Sequence, residues 1–222
     1  MPIPKVIIHN EVSADGRIDW FEAHQDVYYG LLPTWNEDAT LSGIETLFDP
    51  RTGVTKDEKM PSHPPAVDPE DKRPLLVVTD SRGRGYNWQF FRDWPFFRDI
   101  VVLASEKTSG DYLKYLDDRY VKYLVAGSDR VDLRLALLSL NENFGVKTVR
   151  TDSGGSLNGA LLRAGLVEEV SLLISPSLVG GVSSKSFFRA PDLESAKGVI
   201  GLELFHVEKL NHDIVWLRYR VR

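Results

Sequence analysis

The chain has 222 residues, 42% of them hydrophobic and 27% charged, a balance typical of a globular protein rather than a disordered one. Its formal charge of −5 argues against nucleic acid as a partner, because that binding depends on clustered Lys and Arg. The sequence has no cysteine, no apolar run long enough for a membrane span and no recognisable secretory signal, so disulfides and thiolate sites are excluded and a cytoplasmic location without membrane contact is expected.

Short apolar runs bounded by turn residues predict a series of buried strands. The runs are Val6–His9, Leu75–Thr79, Ile100–Ala104, Tyr123–Ala126, Val146–Thr151, Val170–Ser175 and Val215–Val221. Apolar residues at helical spacing predict helices over Asp111–Arg119, Val131–Asn143 and Ser156–Ala164. Gly165 is a typical C-terminal stop for the last helix. Strand and helix alternate through the middle of the chain, which indicates a largely parallel sheet.

The last part of the chain predicts strands over 168–175, 200–209 and 213–221 with almost no helix between them. Asn211-His212-Asp213 is a hairpin-sized turn between the last two. We therefore expect an α/β fold in which a mixed, mostly parallel central sheet is flanked by helices and ends in an antiparallel C-terminal hairpin. We expect one domain over residues 1–222.

Two segments lack an assigned role at this point. Asp49–Arg73 is rich in Pro, Asp, Lys and Gly and predicts a long loop, a kind of segment that is often functional. The aromatic stretch 86–97 is interpreted as core packing, with a lid or an interface as the alternative.

An apolar strand, an acidic residue and a Ser-Gly-Gly turn lead into a helix within Val149–Leu162. Small residues let the backbone approach a ligand closely, and the free N–H groups in the first turn of a helix bind anions. The pattern is that of a phosphate site, but Gly pairs are common in turns, so by itself it leaves both a phosphate site and a plain strand-to-helix turn open. Neither the dinucleotide fingerprint near the first strand nor a P-loop is found in the sequence.

Four segments, taken in order, resemble one family. They are Ile7–Ile18, Ser42–Pro50, Val77–Arg84 and Asp152–Gly181. Their succession is similar to the pyrimidine reductases of riboflavin biosynthesis, which have the dihydrofolate reductase fold. The resemblance covers most of the chain outside the 51–72 loop and the 86–120 region. It implies an NADPH-dependent oxidoreductase, a small pyrimidine nucleotide-like substrate and a homodimer.

The resemblance also implies which residues bind the cofactor. Val12, Ser13 and Ala14 match the segment that lies against the nicotinamide in relatives. Gly43 and Thr46 match a second cofactor element, in which Glu45 replaces a Gly of the family pattern.

Further cofactor residues follow a strand and fill the Gly-rich turn. Ser81, Arg82 and Arg84 match the position where relatives bind the adenosine 2′-phosphate, which favours NADPH over NADH. An exposed basic turn is the alternative for this segment. The Gly-rich turn contributes Ser153, Gly154, Gly155, Ser156 and Leu157, with Ser153 where the family has its first Gly.

The resemblance assigns the substrate to four residues. Arg17 stands where the family usually has Lys and would touch the substrate, although a solvated turn is the alternative. Asp49 matches a substrate-binding Asp-Pro, and Arg51, with Lys56, is a loose candidate for the substrate phosphate. Asp152 matches an acidic residue that faces the substrate, and we expect it to support a protonated imine or to assist proton transfer. Asp152 and Arg17 are therefore the predicted catalytic residues.

The implied reaction reduces the ribosyl side chain of a diamino- or aminopyrimidine ribosylamino 5′-phosphate to ribityl by hydride transfer. No nucleophile is needed for it. The zinc deaminase often fused to bacterial relatives needs His-x-Glu and Pro-Cys-x-x-Cys, and the sequence has neither. The five histidines show no close ligand spacing, so a reductase alone and no metal site are expected. Two alternatives stay open: a reductase with another small-molecule substrate, and a non-catalytic nucleotide-binding relative.

Overall fold

Nine β-strands and six α-helices, numbered in chain order, occur in the part of the chain described by the structure, a computed structural model that covers residues 2–66, 68, 70–182 and 185–222. The strands are β1 Lys5–Ser13, β2 Ala39–Gly43, β3 Leu75–Thr79, β4 Asp99–Ala104, β5 Lys122–Val125, β6 Thr148–Thr151, β7 Glu169–Ser175, β8 Leu202–Lys209 and β9 Val215–Val221. The helices are α1 Gln25–Gly30, α2 Ile44–Leu47, α3 Trp88–Arg92, α4 Gly110–Asp117, α5 Leu133–Phe144 and α6 Gly155–Arg163. The chain divides into a middle unit (residues 1–4 and 37–147) and a terminal unit (residues 5–36 and 148–222).

The middle unit has four strands in the order β5-β4-β3-β2, and every neighbouring pair is parallel. Helices α2, α3 and α4 pack apolar side chains against β3 and β4. Leu76 of β3 and Ile100 of β4 belong to this buried cluster. Trp88 and Phe91 are fully buried in this cluster, which confirms core packing for that part of the aromatic stretch. Burial of such large aromatic side chains is a major stabilising contribution in a unit of this size.

Local sequence explains where the helices of the middle unit begin and end. The Ser109 hydroxyl accepts from the N–H of Tyr112 at the start of α4. The Asp132 carboxylate accepts from two N–H groups in the first turn of α5. Both are side chains that satisfy otherwise unpaired donors of a first helical turn. Gly145, at φ +67°, ends α5 in the left-handed conformation.

The terminal unit has five strands in the order β6-β1-β7-β9-β8. The pairs β6-β1 and β1-β7 are parallel, whereas β7-β9 and β9-β8 are antiparallel. Its core packs Ile7, Leu173 and Trp216 with partly buried residues of α1 such as Val27. The hairpin between β8 and β9 turns at Asn211–Asp213, as the sequence predicts.

The expected α/β fold, with mostly parallel strands and an antiparallel C-terminal hairpin, is confirmed. The strand predicted at Val146–Thr151 begins only at Thr148, because the N–H of Val146 still closes the end of α5 on Leu140. The strand predicted at Tyr123–Ala126 is Lys122–Val125. That the whole chain forms one domain stays a prediction.

The first half of the long loop is held by hydrogen bonds to other segments of the middle unit. The Asn87 amide donates to the carbonyl oxygens of Thr55 (2.9 Å) and Asp57 (3.0 Å), and the buried Glu58 carboxylate accepts from Tyr115 and Arg119. The loop prediction is confirmed apart from a short 3-10 turn at Pro50–Thr52. Positions 67 and 69 of the predicted loop lie outside the described residues, as do positions 1, 183 and 184 of the predicted domain. Within the described residues, none of the helices combines the length and the apolar character needed to cross a membrane.

Candidate active site

The Asp-Gly turn after β1 is closed by Ser13. The Ser13 carbonyl accepts from the N–H of Gly16 (2.8 Å), and its N–H donates to the carbonyl of Arg17 (2.9 Å). The Ser13 hydroxyl donates to the Asp15 carboxylate (2.6 Å) and accepts from the N–H of Arg17 (2.9 Å). Gly16 sits at φ +78°, a conformation that favours glycine. Of the predicted nicotinamide residues here, Val12 and Ser13 are buried and Ala14 is exposed.

Asp15 and Arg17 connect this turn to the loop after β7. The Asp15 carboxylate accepts from the N–H groups of Val179 (3.1 Å) and Gly180 (2.7 Å), and the Arg17 guanidinium donates to the carbonyl of Gly181 (2.8 Å). The hydrogen bond from Ser13, followed by those two N–H groups, holds the pKa of Asp15 well below its usual range. Arg17, a predicted substrate residue, therefore also forms a contact within the protein, with the loop after β7.

The Gly-rich turn of the terminal unit approaches the chain's own backbone closely. A Cβ atom at Gly155 would overlap the carbonyl oxygen of Ser186, and one at Gly159 would overlap the carbonyl oxygen of Arg189. Packing of the protein alone therefore requires these two glycines. At Gly154, which caps α6, a Cβ would meet only Ile18 at 3.7 Å, so this is the glycine where a ligand can come near. Ser156 is exposed in the first turn of α6 and Leu157 is partly buried.

Two buried amides hold the Gly-rich turn in place. The Asn10 side chain donates to the Ser153 carbonyl (3.2 Å). The Asn158 side chain donates to Asn10 (2.8 Å), to the same Ser153 carbonyl (3.1 Å) and to the carbonyl of Phe187 (2.8 Å). Neither amide is among the predicted site residues; the available signal was an Asn inside an apolar strand and another inside an apolar helix, where an unpaired amide is costly.

Asp152 lies just after β6 with a side chain that is 31% exposed, and it forms an ion pair with Arg150. The Arg150 Nη1 and Asp152 Oδ2 atoms are 3.0 Å apart, and the Arg150 side chain is only 3% exposed. Burial raises the pKa of Tyr29, the charge of Asp152 raises it further, and Arg150 opposes the shift. Tyr29 is therefore within electrostatic reach of Asp152. Sequence analysis missed Arg150, although residues two apart in a strand share a face.

His9 is a buried neighbour of this ion pair. Its ring stacks on Tyr28 with centroids 4.5 Å apart, and its Nδ1 lies 2.9 Å from the Ser171 hydroxyl. Burial, and then the charge of Arg150, lower the pKa of His9 to about 3. His9 is consequently neutral at physiological pH. Within the described residues, no group of three or more His, Asp or Glu side chains is arranged to hold a metal ion.

In the middle unit, backbone N–H groups of the loop after β3 donate to one buried carboxylate, that of Asp80. Asp80 Oδ2 accepts from the N–H of Arg84 (2.7 Å), the N–H of Gly85 (2.8 Å) and the hydroxyl of Tyr112 (3.0 Å). Burial, and then the charge of Asp80, raise the pKa of Tyr112 far above its usual value. Gly83, at φ +62°, packs so closely on Tyr112 that a Cβ would be 2.6 Å from its ring. This packing fixes the backbone that carries Ser81, Arg82 and Arg84.

Around this loop lies a basic cluster, which we define as Arg82, Arg84, Lys107 and Arg130. Lys107 is 2.7 Å from Asp129 and lowers the pKa of that carboxyl, with further contributions from Arg130 and Arg82. Arg84 lies 3.4 Å from the exposed carboxylate of Glu45. The Ser81 hydroxyl accepts from the N–H of Val131 (2.9 Å). Four cations face two carboxylates here, which suits a doubly charged phosphate. Lys107 and Arg130 were missed, because they lie far along the chain from Arg82 and only the fold brings them near it, around Asp129.

The other predicted residues of the middle unit lie before the long loop. Asp49 and Arg51 are brought together in a two-pronged ion pair, with the Arg51 Nε 2.7 Å and Nη2 3.0 Å from the two carboxylate oxygens of Asp49. Gly43 caps α2, and Thr46 is exposed one turn along. The side chain of Glu45 is 79% exposed and points away from the helix.

A family model for the RibD C-terminal domain matches residues 4–216 of the chain. The chain belongs to this family. The 2,5-diamino-6-ribosylamino-4(3H)-pyrimidinone 5′-phosphate reductase of Methanothermobacter thermautotrophicus is 30% identical over 187 residues, which are 83% of this chain and 80% of the relative. The reductase of the same name from Archaeoglobus fulgidus is 30% identical over 194 residues, 82% of this chain and 84% of the relative. Both relatives are named as reductases, and the chain is an oxidoreductase enzyme of the family expected from its sequence.

Solved structures confirm the dihydrofolate-reductase-like fold. A pyrimidine reductase-like protein of Corynebacterium diphtheriae superposes with a TM-score of 0.75 at 19% identity, covering 99% of this chain and 92% of that protein. RibD of Acinetobacter baumannii superposes with a TM-score of 0.71 at 20% identity, covering 99% of this chain and 58% of that protein. At these identities the structures support the fold, and the residue roles stay predictions.

Proposed function

We propose that this enzyme is an NADPH-dependent reductase of riboflavin biosynthesis, which reduces the ribosyl side chain of a diamino- or aminopyrimidine ribosylamino 5′-phosphate to ribityl. The observation that carries the proposal is the 30% identity, over more than four fifths of this chain, to two archaeal enzymes named for such a substrate.

The basic cluster supports NADPH rather than NADH. Ser81, Arg82 and Arg84 would hold the 2′-phosphate, and Arg is suited to this because its planar guanidinium binds phosphate through two parallel hydrogen bonds. In the terminal unit, Gly154 caps the start of α6 and Ser156 lies in its first turn. The N–H groups of that turn suit a pyrophosphate. The remaining cofactor residues of the proposal are those implied by the resemblance. NADPH, when bound, supplies the hydride.

Asp152 is the proposed catalytic residue. Its partly exposed carboxylate can accept a hydrogen bond from the protonated nitrogen of the opened ribosylamine, and the negative charge stabilises that cation as it becomes reactive. Arg17 and the Asp49–Arg51 pair are the proposed substrate-orienting residues. Asp152→Asn should slow turnover by roughly 10²-fold or more and leave NADPH affinity nearly unchanged. Wild-type turnover in this variant would contradict the role.

A different substrate is the second candidate, and one observation favours it. Arg51, the candidate for the substrate phosphate, already makes a two-pronged pair with Asp49. A substrate without a phosphate would leave that pair intact. Comparing turnover of the phosphorylated and dephosphorylated aminopyrimidine riboside distinguishes the two candidates. A relative that binds nucleotide without catalysis would turn over neither.

The cofactor is tested by fluorescence titration with NADPH and NADH. Arg82→Ala should weaken NADPH binding by roughly tenfold, the scale of a lost charge-assisted contact, and change NADH binding little. Arg84→Ala should have a smaller effect, since Glu45 already lies near that guanidinium. Lys72→Ala, which removes an exposed cation paired with Glu70, is the matched control. Equal loss of both nucleotides would argue against a 2′-phosphate site.

We further propose a cytoplasmic homodimer. An edge strand with exposed apolar side chains supports self-association. Among the described residues, β8 pairs with β9 alone, and Leu204 and Val207 are 50% and 61% exposed. Light scattering of the purified protein tests the dimer, and a monomer at all concentrations would contradict it.

A further inference from the structure

Arg150 is a cation in the interior of the terminal unit, and sequence analysis gave it no role. Its side chain is 3% exposed, and its Nη1 donates both to Asp152 Oδ2 (3.0 Å) and to the Tyr28 hydroxyl (3.2 Å). A buried cation is costly unless it is paired and hydrogen-bonded. The side chain of its acidic partner, Asp152, is 31% exposed. The buried cation is thus paired with a carboxylate that can contact a ligand.

The Arg150 guanidinium is held on its interior side by a hydrogen bond to a hydroxyl that is itself held in place. The Tyr28 hydroxyl donates to the carbonyl of His9 (3.1 Å), so its oxygen accepts from Arg150. The Tyr28 ring is itself held by stacking on His9. The backbone of β1 therefore determines where the hydroxyl lies, the hydroxyl locates the guanidinium, and the guanidinium locates the Asp152 carboxylate.

The charged groups near this chain of contacts do not compete for Asp152. His9 is neutral because burial and Arg150 lower its pKa to about 3. Arg218, which also faces His9, is engaged by Glu169 at 2.7 Å. Tyr29 is in reach of the carboxylate, and its pKa, raised from a value already well above neutral, leaves it uncharged at neutral pH. Among the described residues, Arg150 is the cation that pairs with Asp152.

We propose that Arg150 is a positioning residue, whose guanidinium holds the Asp152 carboxylate in the orientation in which it meets the substrate nitrogen. The proposal rests on the proposed function for its catalytic consequence. Its structural content, that the carboxylate leaves its place without Arg150, is independent of the substrate.

Tyr29 reports the position of the Asp152 charge without any turnover. The pKa of Tyr29 is followed by ¹³C-tyrosine NMR, with Tyr29→Phe for assignment, in the wild type, Asp152→Asn, Arg150→Met and the double variant. In the wild-type background, Asp152→Asn should lower the pKa of Tyr29. In the Arg150→Met background, the same replacement should change it less, because the carboxylate has moved towards solvent. An equal change in both backgrounds would overturn the proposal.

Kinetics test the consequence for catalysis. Arg150→Met should lower kcat by roughly tenfold to 10²-fold, the scale of a misplaced catalytic group, and leave the KM for NADPH unchanged. Arg150→Lys should recover part of that loss, because a cation returns. Arg218→Met is the matched control: it removes a largely buried Arg paired to another carboxylate and should keep kcat, even where it lowers the melting temperature.

The two readouts separate the proposals. If Arg150→Met keeps wild-type kcat, or loses no more than Arg218→Met, Arg150 has only a structural role and the positioning role is wrong. If the wild type itself reduces no ribosylaminopyrimidine, the proposed function fails, and the Tyr29 measurement still decides whether Arg150 positions Asp152.

Discussion

Mild acid should destabilise the protein through His9 before the carboxylates contribute. The folded state holds the pKa of His9 at about 3, whereas the ordinary value is 6.5. Between these values the unfolded chain binds a proton that the folded chain excludes, so stability falls as the pH falls. From about pH 6.5 to about pH 5, linkage gives a loss of about 2 kcal/mol from this one group.

This window isolates His9 from the acidic residues. Carboxyl groups with a lowered pKa, such as Asp15 and Glu169, contribute stability above their unfolded values near pH 4 and lose it only at lower pH. Urea unfolding at several pH values therefore measures the histidine contribution directly. His9→Asn should be less stable at every pH, since the stacked ring is lost, and should show a flatter dependence on pH.

The exposed His63 supplies the control. His63→Asn should keep the wild-type dependence on pH, because this substitution leaves the buried His9 unchanged. A wild-type slope in His9→Asn, or a wild type whose stability is constant across the window, would show that His9 does not cause the loss.

Three further changes probe packing and assembly. Gly159→Ala should cost about 3 kcal/mol or more, because its Cβ would overlap the Arg189 carbonyl, whereas Gly110→Ala, which has open space, should be neutral or slightly stabilising in thermal unfolding. Glu58→Ala should cost about 3 kcal/mol and expose the long loop to limited proteolysis, since the buried carboxylate holds Tyr115 and Arg119; unchanged cleavage would contradict that anchoring. Val207→Lys should shift the homodimer towards monomer in light scattering, and an unchanged mass would remove β8 from the interface.

Periodicity predicted the elements whose burial follows a simple pattern. Leu75–Thr79 has the bounds expected, because a continuous apolar run ends there before a turn. Val215–Val221 also has the bounds of its predicted run; in its second half apolar residues alternate with Arg218 and Arg220, a pattern typical of a half-buried strand. Strand β2 was missed because its buried positions include Thr40 and Ser42, which are polar and break the apolar run. Helix α3 was missed because it is one short turn whose Trp88 and Phe91 read as an aromatic stretch rather than as a periodic pattern.

The parts of the candidate site that lie within one short motif could be predicted from the sequence. The parts formed by contacts between segments far apart in the chain could not. The motif located Asp152 and the Gly-rich turn, but close packing on the 186–189 segment is what requires Gly155. The contacts that anchor Asp152 through Arg150, Tyr28 and His9 join two strands and one helix, β6, β1 and α1. The spacing of Arg150 and Asp152 is local, but no local pattern encodes the contacts with Tyr28 and His9, which depend on which buried groups face one another in the folded chain.

Incubation of the enzyme with NADPH and 2,5-diamino-6-ribosylamino-4(3H)-pyrimidinone 5′-phosphate tests the proposed reaction itself. NADPH oxidation is followed by absorbance and the product by mass spectrometry, with Asp152→Asn as the matched control. We expect NADPH oxidation in step with a product that has gained two hydrogen atoms on its sugar chain, and a much slower reaction in the variant. NADPH binding without oxidation, or oxidation without a reduced sugar chain, would contradict the proposed reaction.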